Sequence, residues 1–473
     1  MNTYIKRWLC LAAAGAAIYL APMTAASASG GAIDETNLTL EEAIGMALQS
    51  NRAIEQAADD REAAKWELSE ARRNFGPKFT WQMSGMRIGG RSYDSARQNH
   101  DLYGTPPYDS EFTNQFQASL PVYSGGKLEN RKKAAEAGLY GADLTAENTA
   151  ETVAYRTKAA YYRVIQCQNL ITAHEEAVRN LEEHLNVVRT QYEIGTVARS
   201  DLLASEVQLS SEEQALTSAQ GDLKNAMAQL DNLIGLPAYT QLRLTDICET
   251  SSDMAELSAC MEYAYQNRPD YLAALYNLRR AEALKEAAKA GYRPTAGLAV
   301  TKNIQGEGAT FRQDHGGTWS AGVQMEWDVF DNGITAAQVK EAEAARKKAE
   351  SQAKEAREAV ELSVVTAWTN LMTARQNILT AKTAAEKAEA DFVIARVRYE
   401  EGVDTNLSVM DAQEKLTEAQ TNYYNAIAAE ATSRAELDKA MGVPTVFRAK
   451  DYHASANRGE SADTALKRAA IDK

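Results

Sequence analysis

No proline falls between Pro121 and Pro237, or between Pro294 and Pro444. Proline removes a backbone donor and collides with the turn before it, so a long proline-free run is the first requirement of a long helix. Both runs are rich in Ala, Glu, Lys, Gln and Leu, which are good helix formers. Within them, unbroken helices are predicted over residues 127–192 and 334–399. Roughly 66 residues at 1.5 Å each give about 100 Å of helix. A solitary helix of that length is not stable in water, so each has to pack along neighbours. Ala134, Gly138, Ala142, Ala146, Ala150 and Ala154 recur every four residues, and Ala342, Ala345, Ala349, Ala353 and Ala356 nearly so, as close helix contact requires. Leu181, Leu185, Val188 and Tyr192 continue with heptad spacing.

Each long helix breaks once, at YEIGTVARSDLL (Tyr192–Leu203) and at YEEGVDTNLSVM (Tyr399–Met410). Shorter helices then return over residues 200–234 and 407–441 and end at Gly-x-Pro, a helix stop signal. The likeness extends along the chain. PVYSGG (Pro121–Gly126) corresponds to DVFDNG (Asp328–Gly333), Tyr192 to Tyr399 and Gly195 to Gly402, every pair 207 apart. Upstream, Pro77 corresponds to Pro294, an offset of 217. The chain is therefore two copies of one unit, residues 29–240 and 241–445. The first copy holds about ten extra residues in the loop-like stretch Ile88–Glu111, whose Gly, Pro, Asp and Tyr content carries turn signals.

Each copy carries two strand-like stretches, predicted at 79–88 and 111–122 and at 294–302 and 318–330. Trp319, Ala321, Val323, Met325, Trp327 and Val329 alternate with Ser320, Gly322, Gln324, Glu326 and Asp328. Phe112, Phe116, Leu120 and Val122 face away from Thr113, Gln115, Gln117 and Ser119 in the same way. Period-two alternation with terminal aromatics fits a transmembrane β-strand, apolar to lipid and polar to a lumen. Four strands cannot close, and an open edge in lipid leaves backbone groups unpaired at several kcal/mol each. Strands in the membrane therefore require an oligomer sharing one barrel.

The ends and the charge agree with export. Residues 1–28 have a signal-peptide layout: Lys6 and Arg7, the apolar WLCLAAAGAAIYLA, then Ala26-Ser27-Ala28 as a small-x-small cleavage site. No later stretch is apolar enough for a transmembrane helix. Without Lys6 and Arg7, 49 basic residues face 65 acidic ones, a net charge of −16. That balance argues against nucleic acid and for an acidic surface or lumen. Cys248 and Cys260 lie close in a turn-rich linker, where a disulfide of an exported chain would add about 2–3 kcal/mol. Cys167 reads as a small buried apolar residue. Thr39–Glu42 is a capping box that starts a short helix, and the tail 446–473 is polar. The five histidines (His100, His174, His184, His315 and His453) show no metal-binding spacing. No enzyme, metal or cofactor is expected. The rival reading is a periplasmic coiled-coil adaptor or scaffold, which would show one helical hairpin between compact β-domains rather than two hairpins with paired strands.

Strand pair, long helix, glycine break and returning helix, all twice, resemble the TolC-like outer membrane factor family. The matching segments are LTLEEAIGMALQSN near the mature start, QNRPD opening the second copy, PVYSGG at the strand-to-helix passage, and the two break segments. The resemblance implies a mixed fold of long α-helical hairpins and four transmembrane β-strands per protomer. It further implies a homotrimer with a shared 12-stranded barrel among outer-membrane lipids. A periplasmic helical tunnel would then meet a periplasmic adaptor and an inner-membrane pump of RND or ABC type. The breaks become the tips of the tunnel, with Gly195 and Gly402 reversing the chain and Leu202 and Val409 beside them as turn or adaptor-docking positions. Pro121, Gly125, Gly126 and Gly333 mark the barrel-to-helix junction. In the family a Tyr and an Arg of the second tip reach an Asp of the first. Tyr399 and Asp201 match the Tyr and Asp here, but Asp404 stands where the Arg is expected, so Arg199 is the candidate partner for Asp404. Of the two acidic residues that ring the family's constriction, Asp411 is kept and Ser408 replaces the other. Two readings of Asp411 stay open: a cation-binding ring, or an Asp stabilising the first turn of a helix.

Overall fold

The computed structural model describes residues 37–87, 89, 90, 95, 110–237, 240, 242–244, 256–306 and 317–444. The predicted signal 1–28, most of the predicted loop 88–111, Cys248 and the tail 446–473 lie outside the described residues. In chain order the elements are β1 (Asn37–Leu38), α1 (Leu40–Ser50), α2 (Arg52–Arg73), β2 (Lys78–Arg87) and β3 (Ser110–Tyr123). Then come α3 (Lys127–Ile194), α4 (Arg199–Ile234), β4 (Arg243–Leu244), α5 (Leu257–Asn267) and α6 (Pro269–Lys289). A single 3₁₀ turn (Ala290–Tyr292) leads to β5 (Thr295–Gly306), β6 (Gly317–Glu326), α7 (Ile334–Glu400) and α8 (Asn406–Met441). The long helices α3 and α7 have 68 and 67 residues. Among the described residues no helix is long and apolar enough to cross a membrane.

The repeat persists down to the packing. Two hydrophobic clusters close the middle of the molecule, where α1 packs on α3 and α4, and α5 on α7 and α8. They are built from equivalent residues: Ala43 and Cys260, Ala47 and Ala264, Val153 and Val360, Val164 and Leu371, Leu230 and Leu437. Each copy thus buries the same short helix against the same stretch of its hairpin. Thr39 caps α1 through the capping box anticipated from TLEE. The alanine stripes serve close packing, with Ala134, Ala146 and Ala154 buried on α3 and Ala349 and Ala353 on α7. Cys167 is 2% exposed within the first cluster.

At one end stands an antiparallel sheet in the order β2-β3-β5-β6. Directly opposed residues of an antiparallel pair share a face, so the register sorts the side chains. Phe79, Trp81 and Met83 of β2 lie level with Ala118, Phe116 and Asn114 of β3. Leu298 and Val300 of β5 lie between Leu120 and Ala118 of β3 and Val323 and Ala321 of β6. One face is therefore largely apolar, with Asn114 and Lys302 as its polar members, and the other carries Thr80, Gln82, Gln115, Gln117, Thr301, Gln324 and Glu326. The apolar face is bare in the single chain: Phe79 is 79% exposed, Trp319 72% and Met325 71%. A bulge interrupts the ladder between Pro121 and Tyr123. The strand predicted to run to residue 330 ends at Glu326. Trp327–Phe330 lie beyond the start of β5 at Thr295, which faces Glu326, and no strand among the described residues runs beside them; the Trp327 indole donates instead to the Tyr292 carbonyl at 3.3 Å.

The passage from strand to helix repeats as well. Gly125 and Gly126 have φ of 65° and 93°, and their counterparts Asn332 and Gly333 have 53° and 85°. Just before each pair an oxygen-bearing side chain caps the helix. Ser124 Oγ accepts from the Leu128 amide at 3.1 Å, and Asp331 Oδ2 from the Thr335 amide at 2.6 Å. The Thr335 hydroxyl first, then backbone amides, hold the Asp331 carboxyl below its ordinary value.

Candidate functional site

At the far end of the long helices the chain reverses twice. Gly195 and Gly402 adopt φ of 83° and 71°, where an ordinary side chain would strain the backbone. The residue after each glycine donates back into the helix, Thr196 to the Gln191 carbonyl at 2.9 Å and Val403 to the Arg398 carbonyl at 2.8 Å. These bonds satisfy carbonyls that a helix end otherwise orphans. The two reversals are held side by side by a third hydrophobic cluster. Val188 of α3, Phe392, Ala395 and Tyr399 of α7, and Val409, Ala412 and Leu416 of α8 form it, with Val197 and Leu202 packed against them.

Asn406, the first residue of α8, is the polar centre of this junction and is 7% exposed. Its amide nitrogen donates to the Asp201 carbonyl and to Ser205 Oγ, each at 3.0 Å. That orientation leaves its oxygen to accept from His184 Nε2 at 2.6 Å, which fixes the proton of the neutral imidazole on Nε2. One carboxamide thus joins α3, α4 and α8. Burial holds the His184 pKa below its ordinary value, against the Asn406 bond and the charge of Glu400, which favour protonation. The His184 ring meets the Tyr399 ring edge-on, with centroids 4.9 Å apart. Further up, Asn180–Gln413 at 3.0 Å and Gln166–Asn425 at 2.6 Å continue polar ties between α3 and α8. The sequence alone marks His184 only as one of five scattered histidines. By the 207 offset Asn406 answers Arg199, and no sequence motif marks it as buried.

The expected gate residues fall into place differently from one another. Tyr399 is 5% exposed, whereas its counterpart Tyr192 is 39% exposed, so the two Tyr-Glu-x-Gly breaks are not equivalent. The Tyr399 hydroxyl is buried without a hydrogen-bond partner, so the expected bond to Asp201 is not made within the chain. Burial, and then the nearby charge of Asp201, push its pKa up. Arg199 is exposed and no ion pair joins it to Asp404 among the described residues. Asp404 instead accepts the Thr405 amide at 2.8 Å. The Ser408 hydroxyl, then that amide, hold its carboxyl below the usual range. Thr405 is the N-cap of α8 and meets Ser408 Oγ at 2.9 Å. Ser408 thereby belongs to the cap rather than to a ring of charge. Asp411 is exposed and lies in the second turn of α8, so its reading as a first-turn helix stabiliser fails.

Val409 is 1% exposed and part of the tip core, so its side chain is not available to a docking helix; Leu202 is half-buried against the same core. The apolar side chains offered at this end are instead Ile194 at 72%, Val403 at 77% and Leu407 at 61% exposed. Among the described residues no cluster of His, Cys, Asp and Glu is arranged to hold a metal.

The comparisons with known proteins agree with this architecture. The sequence profile described as outer membrane efflux protein matches residues 43–236 and 261–443, one match for each copy. The outer membrane efflux protein BepC of Brucella suis is 24% identical over 324 residues, covering 67% of this chain and 69% of that protein. The outer membrane protein TolC of Escherichia coli is 21% identical over 390 residues, covering 80% and 76%. In three dimensions the chain resembles the outer membrane protein VceC of Vibrio cholerae, with a TM-score of 0.73 and 18% identity over 85% of this chain and 96% of that one. It also resembles the open state of the Neisseria gonorrhoeae MtrE outer membrane channel, with a TM-score of 0.71 and 18% identity over 85% and 88%. The adaptor reading falls with these matches, since both hairpins and both strand pairs belong to one channel fold. With two hairpins, two strand pairs and a profile match over most of its length, the chain belongs to the outer membrane efflux protein family, as a protein of the outer membrane that extends into the periplasm.

Proposed function

We propose that three copies form one channel-tunnel through which small molecules or proteins leave the cell. Each copy contributes four strands to a 12-stranded barrel and two hairpins to a tunnel about 100 Å long. A periplasmic adaptor and an inner-membrane transporter of RND or ABC type deliver the cargo. The observation that carries this reading is the sheet: one face largely apolar with most of its large side chains bare, the other polar, both edges open, standing at the end of the long helices. A single chain cannot keep such a sheet in lipid, and a closed ring of three can. The tips act as an iris. In the closed state the Asn406 tie and the core around Tyr399 hold the second hairpin against the first, and opening slides α8 away from α3. Ile194, Val403 and Leu407 are the tip residues that an adaptor helix would cover.

Planar-bilayer recording tests the reading. Small, cation-selective conductance is expected, since Glu326 lies on the polar face and the mature chain carries −16. Anion preference at low salt, or a detergent-extracted monomer without β-signal, would refute it.

A further inference from the structure

The two copies are related in hydrogen-bond register as well as in sequence. β2 and β5 begin at Lys78 and Thr295, 217 apart, while β3 and β6 begin at Ser110 and Gly317, 207 apart. In the first hairpin Lys78 faces Ser119 and Trp81 faces Phe116. In the second, their counterparts face one another in the same way: Thr295 with Glu326 and Leu298 with Val323. The equivalence therefore holds pair by pair.

The strand pair that joins the copies supplies a template for the pair that is missing. β3 meets β5 with Ala118 opposite Val300 and Leu120 opposite Leu298. The equivalent meeting, β6 with β2, cannot be made within one chain, because these are the two outer strands of the sheet. Carried across by the two offsets, Ala118 and Val300 become Met325 and Met83, while Leu120 and Leu298 become Trp327 and Trp81. On the trimeric reading above, we infer that β6 joins a second copy of this chain in this one register. Met325 lies opposite Met83 of the partner subunit, and Trp327 opposite Trp81 of the partner subunit.

Two further observations support this register. First, it sets apolar face against apolar face, whereas a slip by one residue would turn Met325 towards the polar side. Second, it accounts for where β6 stops. β3 runs on to Tyr123 with β5 beside it, while the matching run Trp327–Phe330 has no strand beside it among the described residues and stays irregular, with Val329 78% and Phe330 86% exposed. The partner's β2 covers that stretch and lets the strand continue.

Oxidative cross-linking of cysteine variants in outer-membrane preparations reads the register. A disulfide needs Cβ atoms about 3.5–4.5 Å apart, and a diagonal neighbour at about 7–8 Å is out of reach. Met83→Cys with Met325→Cys should give covalent trimers on a denaturing gel. The single variants should not, which controls for native thiols. Trp81→Cys or Gly85→Cys combined with Met325→Cys should give none. Efficient linking in either of those slipped pairs overturns the register and leaves the shared barrel standing. Trimers that link in none of the three pairs overturn the register. Extraction of every variant, and of the unmodified chain, as a monomer overturns the shared barrel itself.

Discussion

Replacing Asn406 by Ala removes a group that ties three helices at the tip. Its carboxamide takes part in bonds to His184 at 2.6 Å and to the Asp201 carbonyl and Ser205 at 3.0 Å. Ser205 keeps its own bond to the Asp201 carbonyl at 3.0 Å, so the group left orphaned is chiefly the buried imidazole N–H. A buried donor without a partner costs about 1–3 kcal/mol, and a lost bond about 0.5–1.5 kcal/mol, so local opening should become easier by about 2–4 kcal/mol. Amide exchange around the tip measures that opening. Rates there should rise about 30- to 1000-fold, while amides of the mid-helix clusters stay unchanged. Channel open probability should rise in parallel. His184→Phe removes the orphan, so the double variant should cost less than Asn406→Ala alone, because replacing both partners by apolar groups can be nearly neutral. Unchanged exchange in Asn406→Ala, or strict additivity with His184→Phe, would refute the tie.

Tyr399→Phe should leave tip exchange unchanged or slow it, since the hydroxyl it removes is buried and unpartnered. Tyr399→Ala should speed exchange by about 3 kcal/mol or more through the cavity left in the tip core. Asp411→Asn should relieve divalent-cation block of the channel with no change in melting temperature, because Asp411 is exposed and beyond the first turn of α8. Glu151, buried on α3, has its pKa raised to about 8, chiefly by burial and then by the charge of Asp270. A carboxyl raised in the folded state contributes stability below its ordinary value of 4.5 that is lost as pH rises towards 8. Melting temperature should therefore fall across that window, and Glu151→Gln should flatten the fall. His184 has the opposite sign: its lowered pKa means that stability present above its ordinary 6.5 is lost on acidification. Tip protection, taken relative to the intrinsic exchange rate at each pH, should therefore fall in acid, and in His184→Phe it should not.

The long helices, their breaks and the two-copy plan are properties of local chemistry, so the chain declares them unaided. Proline absence, alanine stripes and a glycine at each reversal act within a few residues of themselves, and the predicted helices match α3, α4, α7 and α8 to within two residues. Strand alternation is likewise local, and it assigned the faces that the register later displayed. Where β6 ends was not local: four further residues keep the alternation, but a ladder needs a second strand, and only the sheet order reveals that β6 is an edge with none beside that run among the described residues. The tip shows the same division. Tyr192 and Tyr399 sit in nearly identical motifs, yet one is exposed and the other buried, because only Tyr399 packs into the cluster formed with Val188 of α3 and Val409, Ala412 and Leu416 of α8. His184 and Asn406 are 222 residues apart and carry no shared motif. Val409 reads as a surface apolar residue until the hairpins pack and close over it. Each of these depends on which helix face meets which, a choice made by side chains far apart in the chain. Sequence spacing records the face a residue shares with its own helix, and only tertiary packing decides what that face touches.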